Sequence, residues 1–323
     1  MAKKKIPTFI KEIQEYKPKE MNYAFEKSIS FSQVSMFHKC SHQWELLYKE
    51  GYNKKVPTSS IHSCFGTAMH ETMQDYLKTM YEISAAEADR QDIEAKFKSV
   101  FITEYKRIVE KEFKGQHFSS ADEMREFYED GIAILEWFKK KRGQYFSKKN
   151  TYLVGIETPI QIKPSPKYKN LYYRGFLDLI FYNTNTQKYT IYDIKTSTRG
   201  WNEYTKKDEL KTSQLVLYKK YFGQQFNIDP KNIDVEFFIV KRKVPEDAEF
   251  AAMERRVQEF KPPHGKNKTS QATKLVEKFL QEAFNQDGSY KEKKHLKNPS
   301  KFNCSWCSVR EFCEEGKQLV ESL

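Results

Sequence analysis

The chain has 323 residues, which is one large domain or two small ones, and 38% hydrophobic with 15% aromatic content is enough for a real core. Lys and Arg (56) exceed Asp and Glu (44), giving +12, so a polyanionic partner is compatible with the charge. No apolar run reaches the roughly 18 residues of a membrane span, the basic N-terminus M-A-K-K-K-I-P-T-F-I lacks the apolar segment of a secretion signal, and no G-x-x-x-x-G-K-[ST] occurs, which predicts an intracellular, cytoplasmic protein without membrane contact or a nucleotide motor of its own.

Residues 1–29 are mixed and read as a peripheral segment, and 30–323 as a single domain. Ser32 is an N-cap candidate for a helix running to about Tyr48, with Val34, Phe37, Trp44 and Tyr48 near one stripe. A second helix is expected from about Gly66 past Met80, with His70 in its first turn and Met69, Met73, Tyr76 and Met80 as its apolar face. Two long charged helices, roughly 85–114 and 120–146, fall in a region read as a helical insertion over about 84–148.

At Thr151 the period changes from helical to two. Tyr152–Ile162 predicts a strand broken near Pro159; Leu171–Tyr182 and Lys188–Lys195 predict two more, joined as an antiparallel hairpin by N-T-N-T-Q. Lys207–Phe222 is helical, with Gln214 and Tyr218 four apart on one face. Ile233–Val240 and Met253–Phe260 predict further strands, Pro262–Ser270 a loop and Gln271–Phe284 a helix; the catalytic core is placed at about 151–285. About half of the basic excess lies in the fifth of the chain from Lys241 to Lys301.

The stretch K-Y-T-I-Y-D-I-K-T-S, Lys188–Ser197, puts Tyr189, Ile191, Asp193 and Lys195 on one strand face. Asp193 and Lys195 are either a local ion pair on a solvated face or parts of a metal and phosphodiester site. Asp229-Pro230-Lys231 has the same spelling, but Pro230 cannot donate to a sheet ladder. Asp178, in G-F-L-D-L-I-F, sits on the hairpin partner strand, and two carboxylates brought together there repel unless they share a cation. Carboxylate oxygens with one lysine suit magnesium or manganese and hydrolysis of a phosphodiester. Taken singly, each of these residues has an ordinary structural explanation; it is the ordered set that points to a site.

The order His…Asp…Asp-x-Lys…Gln-x-x-x-Tyr, here His70, Asp178, Asp193-Ile194-Lys195 and Gln214…Tyr218, resembles the RecB-like branch of the PD-(D/E)XK nuclease superfamily. The resemblance implies an α/β fold, a restriction-endonuclease-like core with a central mixed sheet flanked by helices. It also implies a metal held by His70, Asp178, Asp193 and the Ile194 carbonyl, with Lys195 as catalytic lysine and Gln214 and Tyr218 positioning the strand; Glu157 carries less weight as an assistant. The implied partner is DNA, single-stranded or at an end, and the implied context is recombination, repair, replication or CRISPR adaptation beside a helicase or CRISPR protein.

Of the five cysteines, Cys304, Cys307 and Cys313 cluster within the C-terminal stretch 302–314, and a fourth ligand must come from Cys40 or Cys64. Four thiolates suit zinc or an iron–sulfur cluster. One N-terminal and three C-terminal cysteines resemble the iron–sulfur subset of these nucleases, the AddB nuclease domain and CRISPR-associated four-cysteine exonucleases. That implies a 4Fe–4S cluster on Cys40, Cys304, Cys307 and Cys313 stapling the two chain ends, and leaves Cys64 as a small buried side chain. Ser41 and His42 depart from the Pro and Arg that often follow the first cysteine in those relatives. The rival from another class is a non-catalytic DNA-binding or assembly subunit with a structural cluster; a third is an electron-transfer protein.

Overall fold

A computed structural model of the chain describes residues 6–147, 149–245 and 254–321. Its elements are α1 (Thr8–Glu15), β1 (Lys27–Ile29), α2 (Phe31–Lys39), α3 (Ser41–Trp44), α4 (Ile61–Glu82), α5 (Ala85–Arg90), α6 (Ile93–Lys111), α7 (Ala121–Lys141), β2 (Thr151–Ile162), β3 (Leu171–Asn183), β4 (Lys188–Ser197), α8 (Glu203–Lys207), α9 (Glu209–Gln225), β5 (Ile233–Lys241), β6 (Val257–Phe260), α10 (Lys266–Ala283), α11 (Lys301–Ser305) and α12 (Glu314–Glu321).

Six strands form one mixed sheet in the order β1-β3-β4-β5-β6, with β2 also on β3. β3 and β4 form the expected antiparallel hairpin, Leu179 opposite Tyr192, while β4 and β5 run parallel through the α8–α9 crossover, Tyr189 opposite Ile233. Tyr173 pairs with Ile29 and with Ile162, so β1 and β2 take opposite edges of β3. β4 therefore shares the β1 edge but begins pairing only at Leu179, and the Arg174–Asp178 stretch between them opens toward the site.

Helices cover both faces. One core gathers Phe37, Trp44, Tyr221, Phe222 and Phe279 against Ile191, Val235 and Phe237. The other gathers Phe65, Tyr76, Phe97, Phe101 and Phe138 of α4, α6 and α7 against Leu179, Ile194 and Phe238. At the crossing of α6 and α7, a Cβ on Gly131 would come within 2.3 Å of the Phe97 ring, so only glycine fits there. No helix among the described residues is long and apolar enough to cross a membrane.

Several boundaries differ from expectation. The described part of 1–29 is not peripheral: Ile10 and Ile13 are buried in the first core and β1 extends the sheet. The first long helix is capped by Ser30, whose Oγ accepts from Gln33 N, rather than by Ser32, and extended backbone at Cys40 ends it. α4 starts at Ile61 under a Ser60/Ser63 capping box, which puts His70 well inside the helix. β2 continues through Pro159, because the proline lies on a strand paired only to β3 and needs no N–H on its free side. α10 begins at Lys266 inside the predicted loop, and β6 is confined to Val257–Phe260; Met253, where that strand was expected to start, lies outside the described residues.

Candidate active site

The candidate site lies where the hairpin strands meet α4. Alternation on β4 buries Tyr189, Ile191 and Asp193 on the α9 side, leaving Asp193 only 2% exposed at the end of an apolar run. Lys195, next on that face, brings Nζ to 2.7 Å from Asp193 Oδ2. That oxygen has no well-aligned hydrogen-bond donor. Asp178 Oδ2 accepts from Ile194 N at 2.7 Å, so the hairpin fixes this carboxylate through the backbone between Asp193 and Lys195.

α4 crosses the end of β4, with Gly66 against Thr196, and delivers His70 Nδ1 to 3.6 Å from Asp178 Oδ2. From the other side, Glu157 falls opposite Asp178 in the β2–β3 register, flanked by the Ile156–Leu179 and Thr158–Leu177 pairs. His70, Glu157 and Asp178 each offer a ligand atom, and all three atoms lie within 4.8 Å of one another. Glu157 has φ 48°, an uncommon backbone state for a residue with a side chain. Gln74, one turn after His70 and buried, donates from Nε2 to Glu157 Oε1 (2.7 Å) and to the Asp178 carbonyl (3.1 Å), tying α4 to both strands.

The electrostatics follow from burial. Desolvation, then the Asp193 charge, pushes Asp178 well above the ordinary carboxylate range. Burial also raises Asp193, against the pull of Lys195. Burial alone would lower Lys195, but Asp193 and Asp178 outweigh it and hold the ammonium above its usual value. His70 is lowered to about 4 by burial and by Lys195, and is neutral at physiological pH. Three carboxylates thus face a single ammonium and a neutral imidazole. The His70, Glu157 and Asp178 ligand atoms, with the buried Asp193 carboxylate beside them, fit a hard divalent cation.

Gln214 and Tyr218 come together on α9, with Gln214 Nε2 donating to the Tyr218 hydroxyl at 3.2 Å. Tyr218 packs over Gly175 of β3, where a Cβ would be 3.1 Å from its ring. Burial, followed by the Asp193 charge, raises the phenol, which places it beside the carboxylates. His70, Asp178, Asp193 and Lys195 thus come together, and Gln214 is tied to them only through Tyr218. Asp193 differs in detail: its oxygen is engaged with Lys195, and Glu157 takes the third place in the close ligand group. The signal for Glu157 was a lone acid inside an apolar strand; Gln74, four residues after His70, was not singled out.

A sequence profile of the PD-(D/E)XK nuclease superfamily matches residues 28–314. The chain belongs to that superfamily. Membership makes it a nuclease of a superfamily whose substrate is DNA and whose usual metal is magnesium or manganese. No curated protein matches the chain.

Apart from these residues, Cys40, Cys304, Cys307 and Cys313 line one small cavity together with His42, Leu46 and Val309. All are free thiols. Burial raises the Cys307 thiol, and the other three cysteines add to that rise. Cys64 is fully buried in the helical core around α4, its thiol pushed up to about 12 by burial.

Proposed function

We propose that this protein is a metal-dependent deoxyribonuclease of the RecB-like kind, acting as an exonuclease on single-stranded DNA or DNA ends in recombination, repair, replication or CRISPR adaptation. The observation that carries it is the buried Asp193–Lys195 pair, 2.7 Å apart, set against the His70, Glu157 and Asp178 ligand group. His70, Asp178, Asp193 and the Ile194 carbonyl would hold magnesium or manganese, with Glu157 as a further ligand. Such an ion lowers the pKa of a bound water and offsets charge on the phosphate. Lys195, kept protonated by its two carboxylates, would hold the attacking water or the developing anion. Gln214 and Tyr218 would align the strand through their paired amide and hydroxyl.

The choice of a 4Fe–4S cluster over zinc rests on the resemblance; what supports a shared group is the cavity that Cys40 lines together with Cys304, Cys307 and Cys313.

The test is anaerobic purification, then labelled single-stranded linear, single-stranded circular and duplex DNA with magnesium or manganese. Cutting of the linear single strand is expected. Intact DNA under every condition would sink the enzyme reading and favour a non-catalytic DNA-binding subunit. Iron and sulfide content with visible absorbance separates the cluster from zinc.

A further inference from the structure

A surface bordering the sulfur cavity exposes large apolar side chains among lysines. Phe302 is 76% exposed, Trp306 84% and Leu296 83%. Phe302 and Trp306 are four residues apart across α11 and its last turn, so they occupy neighbouring positions. Cys304, between them in sequence, is buried while both rings stand in solvent.

The segment leading into this helix is basic: Lys291–Lys301 holds 5 lysines and 1 acid. Lys293, Lys294 and Lys301 are exposed. Exposed Lys39 is folded onto the same place, its carbonyl accepting from Asn298 Nδ2 at 2.8 Å and Asn303 Nδ2 at 3.4 Å. Of the acids that follow, Glu315 is engaged by Lys297 and Glu311 by Lys317, while Glu314 accepts from the Gln318 amide. Lysine is depleted from protein–protein interfaces. Rings interleaved with lysines are instead what a single strand needs, stacking for its bases and cations for its phosphates.

We propose that this face is a binding platform for single-stranded nucleic acid, with bases stacked on Phe302 and Trp306 and phosphates on Lys293, Lys294 and Lys301; it rests on the nuclease reading for its substrate class. The platform would hold the strand on the C-terminal segment, apart from the Asp193 cleft.

The experiment is a titration of fluorescein-labelled oligothymidylate with the full chain in chelator, read by anisotropy. Wild type binds, more weakly as salt rises. Phe302→Ala with Trp306→Ala weakens binding roughly 10–100-fold and leaves the melting temperature unchanged, since both rings are exposed. Lys293→Gln with Lys294→Gln lowers the slope of log affinity against log salt by about 1.4, or ~0.7 per phosphate on a single strand. Trp306→Phe keeps most of the affinity but loses most of the quenching of tryptophan emission by the oligonucleotide.

An absence of binding in wild type overturns the platform, as does a double-alanine variant within twofold of wild type, or quenching unchanged in Trp306→Phe. A concentration-dependent dimer dissolved by the double-alanine variant, with oligonucleotide binding intact, overturns it in favour of a second copy. Tight binding without cutting in magnesium or manganese removes the nuclease reading and leaves the platform. Cutting at wild-type KM in the double-alanine variant removes the platform and leaves the nuclease.

Discussion

Asp193-Ile194-Lys195 and Asp229-Pro230-Lys231 share a spelling and both form ion pairs, at 2.7 and 3.1 Å. Everything else separates them. The first carboxylate is 2% exposed inside a central strand; the second is half-exposed and caps a short 3₁₀ turn, accepting from Lys231 N. Burial raises Asp193 above its ordinary range, whereas Asp229 is lowered by the Lys231 backbone and ammonium. Water screens the second pair, so it contributes little. The first is held in a low-dielectric pocket beside two more carboxylates, where neither charge is comfortable without a further cation. Chemistry resides in the setting of the dipeptide pair rather than in its letters.

The largest expected difference between the pairs is catalytic. Asp193→Asn lowers single-strand cleavage by about 10³-fold or more, while Asp229→Asn stays within twofold, both read from initial rates on labelled DNA. Lys195→Ala loses roughly 10²–10³-fold in rate at saturating metal, the range for removing one group that stabilises a developing anion; Lys231→Ala is silent. Equal losses at both positions would end the distinction.

The hairpin that brings Asp178 to Asp193 was legible because alternation and the N-T-N-T-Q turn are local signals; period alone marks the α9 helix and the β5 strand but not the parallel β4–β5 pairing across them. Other features were decided at long range. Ser30 and Ser32 are nearly equivalent caps, worth about 1 kcal/mol, and the burial of Phe31, Val34 and Phe37 selects Ser30. Ile10 and Ile13 look ordinary in sequence and become core only because α1 packs on β2. The place of Glu157 is hidden in the sequence because it depends on the β2–β3 register and on φ 48°, neither of which a lone glutamate announces.

Glu157 and Gln74 sharpen the contrast further, since the Asp229 turn has no counterpart of either. Glu157→Gln lowers metal affinity at least as much as Gln74→Ala, which removes the amide holding Glu157 and costs about 10–100-fold, the usual price of an orienting partner. Isothermal titration with manganese checks both. Loss of rate without loss of metal affinity in Gln74→Ala would show that the amide serves α4 packing instead.

The smallest effect concerns a second buried acid on a central strand. Glu236 of β5 is 3% exposed and lies opposite Tyr192 in the β4–β5 register, on the side of the helical core rather than the site. Its cation, Lys261 at 3.4 Å, is itself well exposed and screened. Burial raises Glu236 to about 6, against that lysine. A carboxyl raised on folding binds more protons in the native than in the unfolded state between its ordinary pKa of 4.5 and about 6, so stability falls as pH rises through that window. Glu236→Gln therefore gains about 2 kcal/mol at pH 7.5, nothing below pH 4.5, and keeps full nuclease rate. Thermal melts in chelator across pH 4–8 read the gain as roughly 3 °C. Asp193→Asn gains metal-free stability with the same sign but abolishes cleavage, and that split separates a buried acid kept for chemistry from one that merely tolerates its place.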